Sequence, residues 1–230
     1  MGIPRYLAMT AAELSSHPPA PHIAWMACHF SAYHSGLSNL PEKLPKGSLL
    51  ILDDSVPMED HDPELIKSTL FRQIQTLSCS GLLLDFQRPG SGKVTDLAAY
   101  LTADAPVVTA VSALYAQELN CPVLVPPCPV SLPLREHLAP WAGRDIWLEI
   151  AMDAQVLTLT EAGCVPSEAG GAPEAGFEDE ALHCHYTVET GADYAKFTLW
   201  RRGADLDGLL GEAEKWGVRR AVGLWQELGR

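Results

Sequence analysis

The sequence predicts an α/β chain folded as a compact (β/α)8 barrel, with a β-hairpin inserted late. Three observations point there. Short apolar runs recur along the 230 residues, about eight of them. They are continuous rather than alternating, as in strands covered on both faces. Several of the intervals between them carry helical periodicity. An open doubly wound sheet is the main rival, because counting strands does not separate the two.

In chain order, Thr10 and Glu13 have the spacing of a capping box, which predicts a short helix near the N-terminus. Strands are expected at 22–30, 48–54, 81–86, 106–112, 121–126, 145–151, 195–200 and 220–225. Asp62 followed by Pro63 opens a helix with Ile66, Leu70, Ile74 and Leu77 in one stripe. Val94 to Leu101 is a shorter helical stretch, and 132–141 is a weak one broken by prolines. Asp205 opens another helix, with Leu206, Leu209, Leu210 and Ala213 on one face and Gly217 as its stop. Between the last two apolar strands and the rest, 155–163 and 181–189 alternate like a hairpin with one exposed face. The Gly/Pro/Glu-rich segment joining them reads as a mobile loop. The whole of 1–230 is therefore read as one barrel domain, with 155–189 as its insertion.

Composition narrows the partners. The formal net charge of -13 disfavours nucleic acid and anionic membranes, which need a Lys/Arg surface. No apolar run reaches the roughly 18 residues of a membrane span. The N-terminal segment has one arginine and no long apolar stretch, so it is a poor secretory leader. Six cysteines lie scattered with no CxxC pair, and a chain that is 47% hydrophobic can fold without disulfides. Reduced thiols and a cytoplasmic location are the expectation. No cofactor is expected either: 88–95 fails the phosphate-loop pattern, and no GxGxxG or GxSxG occurs. Oligomeric state is open.

Barrel chemistry gathers at the C-terminal ends of strands. Those ends carry His29 with Tyr33 and His34 beyond it, Asp53 and Asp54, Asp85 and Gln87, Glu149 and Asp153, and Trp225, Gln226 and Glu227. Acids and aromatics at one rim suit a neutral polyhydroxylated ligand, since rings stack on sugars and carboxylates accept from hydroxyls or move protons. Candidate catalytic groups are Asp85, Glu149, Asp53 and Asp54; candidate ligand contacts are Gln87, Trp225, Tyr33, His29 and Glu227. Glu149 interrupts an apolar strand, so desolvation raises its pKa toward that of a working acid. His183 and His185 share a strand face but lack a third zinc ligand. Cys28 beside His29 reads as a reduced core thiol.

The stretch SCSGLLLDFQRPG (78–90) resembles the signature strand of the family-18 glycosidases, the chitinase-like group, whose pattern is Asp-x-x-Asp-x-Asp-x-Glu. Asp85 takes the place of the final aspartate, Phe86 of the aromatic and Pro89 of the proline. AVGLWQELG (221–229) resembles that group's last strand, whose tryptophan floors the sugar site; here that residue is Trp225. SLLILDD (48–54) is a weaker match to the preceding strand. The resemblance implies a barrel glycosidase in which a glutamic acid protonates the glycosidic oxygen and the aspartate two residues before it steers the substrate's N-acetyl group. This chain has Gln87 at the glutamate position, and Leu83 and Ser80 at the earlier aspartates. An amide cannot donate that proton. The expectation is thus a carbohydrate-binding barrel with chitinase-type catalysis impaired or absent. The alternatives are a glycosidase using Glu149, Asp53 or Asp54, and a scaffold without catalysis.

Overall fold

The computed structural model describes residues 2–17, 22–33, 35–58, 61–89 and 92–229. In chain order, the elements begin β1 Arg5–Met9, α1 Ala11–Ser16, β2 Ile23–Phe30, β3 Leu37–Ser38, β4 Leu49–Asp53 and α2 Pro63–Leu77. Next come β5 Gly81–Asp85, α3 Gly92–Ala103, β6 Val108–Ser112, β7 Val123–Val125, α4 Leu134–Leu138 and β8 Ile146–Glu149. The chain continues through β9 Ala154–Thr160, β10 Gly163–Glu168, β11 Phe177–Asp179, β12 Cys184–Thr190 and β13 Tyr194–Trp200. It ends with α5 Gly203–Ala213, β14 Val218–Leu224 and α6 Trp225–Leu228.

Eight parallel strands close on themselves in the order β1-β14-β8-β7-β6-β5-β4-β2, with β2 pairing β1 again. Closure excludes the open sheet. Leucine runs fit because successive side chains serve different layers. Leu83 joins Ile51, Trp147 and Val222 inside the barrel. Leu82 and Leu84 join Leu70 and Ile74 of α2 and Leu97 of α3 outside it. Asp62 caps α2 by accepting the Glu64 N–H at 3.0 Å, and the four predicted stripe residues are its buried ones. The Thr10–Glu13 capping box is also present.

Four expectations are corrected. The segment 5–9 is a barrel strand; its five residues, starting with an exposed arginine, are too short to show as an apolar run. The run at 195–200 is β13, not a barrel strand. Asp205 lies inside α5 rather than capping it, and its carboxylate accepts the Arg202 N–H at 2.7 Å. Among the described residues, the connections at 31–48 and 113–122 carry no helix.

The insertion is also larger than a hairpin. It is a five-stranded antiparallel sheet, β10-β9-β13-β12-β11, and parts of the expected loop form β10 and β11. Buried Arg201 rivets it to the barrel, donating to the carbonyls of Cys128, Pro129, Leu182 and His183. His183 and His185 engage Glu212 at 2.8 Å and Asp205 at 3.0 Å on α5.

Below, the barrel is plugged. A Cβ on Gly81 would stand 2.6 Å from Arg220 Nη1 and 2.9 Å from Trp147. The Arg220 guanidinium lies 4.5 Å from the Trp147 ring centroid. Only glycine fits beside that stack, which fills the barrel interior at this level.

Candidate functional site

The C-terminal ends of the barrel strands surround a cavity of about 520 Å³, within the roughly 300–1,000 Å³ usual for small-ligand sites. Six expected residues line it: Asp53, Asp54, Asp85, Gln87, Glu149 and Glu227. The strand period explains the convergence. Residues 49, 51 and 53 of β4, 81, 83 and 85 of β5, and 147 and 149 of β8 face inward, so each series ends in a carboxylate at the mouth. Asp53 and Asp85 are register partners on adjacent strands.

Each acid sits differently. Asp54 is buried, and its two oxygens accept the backbone N–H groups of Gln87 and Arg88, both at 2.9 Å. Both of its oxygens thus hold the turn after β5. Asp53 accepts the Ser55 N–H at 2.8 Å. Glu227 accepts the Met152 N–H at 2.9 Å, tying α6 to the segment after β8. Asp85 accepts from the Gln87 side-chain amide at 2.9 Å. Burial raises the Asp85 pKa; the amide opposes that, and the charges of Asp53 and Asp54 add to it. The Glu149 carboxyl has no hydrogen-bond or ion-pair partner among the described residues. Burial first, and then the Asp85 charge, push its pKa up to about 7. It therefore keeps its proton to higher pH than an ordinary carboxyl, in the same cavity as the amide-braced Asp85. Such a pair can donate a proton and stabilise a developing positive charge.

Other expected residues do not line the cavity. β14 ends at Leu224 and the chain turns into α6, which carries Trp225 away; its indole packs on His17 with centroids 5.0 Å apart. Leu224 faces the cavity in its place. Tyr33 is 95% exposed in the connection after β2. His29 is in register with Asp53 but outside the lining. Asp153 uses its carbonyl to accept the Arg201 N–H, and Gln226 faces a groove on the outer wall. His34 lies outside the described residues. Cys28 is buried, with its thiol pushed up to about 12 by burial and by Asp53, so it is no nucleophile.

Sequence reasoning passed over Arg88 and Pro127, which also line the cavity. The signals were present: Arg88 follows Gln87 directly, and Pro126-Pro127 ends an apolar strand.

No protein-family model matches the chain, and no curated protein matches its sequence. Solved structures do match in shape. The spore cortex-lytic enzyme SleL of Bacillus megaterium aligns over 99% of this chain and 71% of its own, with a TM-score of 0.58 and 11% identity. A chitinase from Chromobacterium violaceum aligns over 96% of this chain and 93% of its own, at TM-score 0.55 and 10% identity. SleL of Bacillus cereus aligns over 96% and 70%, at 0.54 and 7%. At these identities the likeness is one of fold: this chain has the barrel architecture seen in those glycosidase-like structures.

Proposed function

We propose that this chain binds a carbohydrate in the barrel mouth and acts on a glycosidic bond there, with Glu149 as the proton donor that residue 87 cannot be. The observation that carries this reading is the Glu149 carboxyl: it has no partner among the described residues, lines the cavity with Asp85, and has its pKa pushed up to about 7. The resemblance of 78–90 to the glycosidase signature strand and the barrel likeness favour the substrate class.

In this scheme protonated Glu149 donates to the glycosidic oxygen as the bond breaks. Asp85, steadied by Gln87, faces the oxocarbenium-like carbon, and water supplies the hydroxyl that replaces the leaving group while its proton returns to a carboxylate. Carboxyls about 5–5.5 Å apart suit a retaining route and about 6.5–9.5 Å an inverting one. A panel of aryl glycosides tests this. Turnover is expected, and Glu149→Gln should lower kcat/KM by about 10²–10⁴. Turnover undiminished in that variant would remove Glu149 from the role.

A second reading, binding without cleavage, is favoured by the Gln87 amide itself. It predicts that chito-oligosaccharides raise the melting temperature with no product formed.

A further inference from the structure

The mouth is longer than one pocket. A second lobe of about 340 Å³ lies beside the first, under the ends of β5, β6 and β7. The two share Asp85, Gln87, Pro127 and Glu149, so they meet at the reactive pair. Their chemistry differs. The first lobe adds Asp53, Asp54 and Glu227. The second adds no carboxylate; its own surface is Phe86, Ser112, Ala113, Leu114, Leu124 and Pro126.

Leu114 is the unusual residue there, a leucine left 49% exposed beside a cavity. It is firmly presented. The Tyr115 and Ala116 N–H groups both bond the Ser112 carbonyl, at 2.9 and 3.0 Å. Ser112 Oγ donates to the Phe86 carbonyl at 2.6 Å, and the Tyr115 hydroxyl donates to the Arg88 carbonyl. These bonds lock the turn to the strand that carries Asp85. The 113–122 connection has no helix, and its first residues, Ala113 and Leu114, line the lobe.

We propose that this lobe is the seat for the group across the bond from the unit in the acidic lobe, and that it takes a ring with an apolar face, with Leu114 setting the preference. The inference rests on the carbohydrate reading above. A ligand spanning both lobes places its linking oxygen at Glu149 and Asp85, whereas a single ring fills only one lobe. The ring is a pyranose face or an aryl aglycone, and both present the same flat apolar surface.

Calorimetric titration of the intact chain with N-acetylglucosamine, its uncleavable thio-linked β-1,4 dimer and its 4-nitrophenyl β-thioglycoside separates the cases, with glucose, thiocellobiose and 4-nitrophenyl thioglucoside as a parallel set. The two-ring probes are expected to bind at least about tenfold more tightly than the single ring, the scale of a filled apolar pocket. That preference should collapse toward one in Leu114→Asp and survive in Leu114→Met; the site is half-exposed, so the fold tolerates both. The Leu114 methyl resonances should shift with two-ring probes alone. The dimer and the aryl glycoside distinguish a sugar ring from an aglycone. If single rings bind as tightly as two-ring probes, or if Leu114→Asp keeps the preference, the subsite is overturned while carbohydrate binding stands. If no probe binds the folded chain, both fall.

Discussion

The side-chain amide of Gln87 donates to Asp85 at 2.9 Å. The amide braces that carboxylate and has no acidic proton of its own to give. Gln87→Glu replaces that donor with a second carboxyl beside Asp85. Two such groups cannot both ionise freely, so one pKa rises and a proton is retained at neutral pH. The expected outcome is at least about a hundredfold gain in release of 4-nitrophenol from aryl chito-oligosaccharides, on the scale of general-acid help. A variant that binds these compounds with no such gain would show that the strand's likeness ends at its backbone.

Glu149 gives a pH signature in stability. Its pKa is about 7 in the folded chain against an ordinary 4.5, so the folded form holds this proton more tightly than the unfolded one. Its favourable contribution is complete below pH 4.5 and is lost progressively up to about 7. Glu149→Gln should therefore match the parent at pH 4 and exceed it by about 1–3 kcal/mol at pH 8. Urea unfolding at both pH values reads the difference directly.

Activity should follow the same group and fall in the same direction of pH. As pH rises past the Glu149 midpoint the donor form disappears, and kcat/KM should fall about tenfold per pH unit. An alkaline limb at the same pH in Glu149→Gln would assign the titration to another group.

Asp54 links two strand ends through two backbone N–H bonds. Asp54→Ala leaves both N–H groups unpaired and should cost about 2–4 kcal/mol. Asp54→Asn keeps an acceptor and should cost less. Faster hydrogen exchange at the Gln87 and Arg88 amides would locate the loss, and ligand affinity should weaken with it.

Arg201 satisfies four carbonyls at the joint between barrel and insertion. Arg201→Leu fills much of the space and removes every donor, so about 3 kcal/mol of destabilisation is expected. Limited proteolysis should then cut near 128–131 or 180–183 before the barrel unfolds.

The barrel was legible where a strand is covered on both sides. Leu82, Leu83 and Leu84 form a continuous run because two go to the helices and one goes inward. The same cue misled at 195–200. There Phe197 and Leu199 line one face of the inserted sheet beside Leu157, and Trp200 is buried against the other, so a strand outside the barrel carries a barrel-like run. The acids at strand ends were legible because the two-residue period carries them inward together with the residues beneath. Trp225 was not: one residue past Leu224 the backbone becomes helical, and the period that would aim the indole inward no longer applies. Nor does residue order disclose that Asp54 spends both oxygens on a turn 33 residues away.

The Arg220–Trp147 stack beneath Gly81 has a kinetic corollary. A vessel filled at its base favours exchange of its contents through the rim. A molecule leaving by the rim passes Leu114, Arg88 and Glu227, so these side chains bear on its residence time.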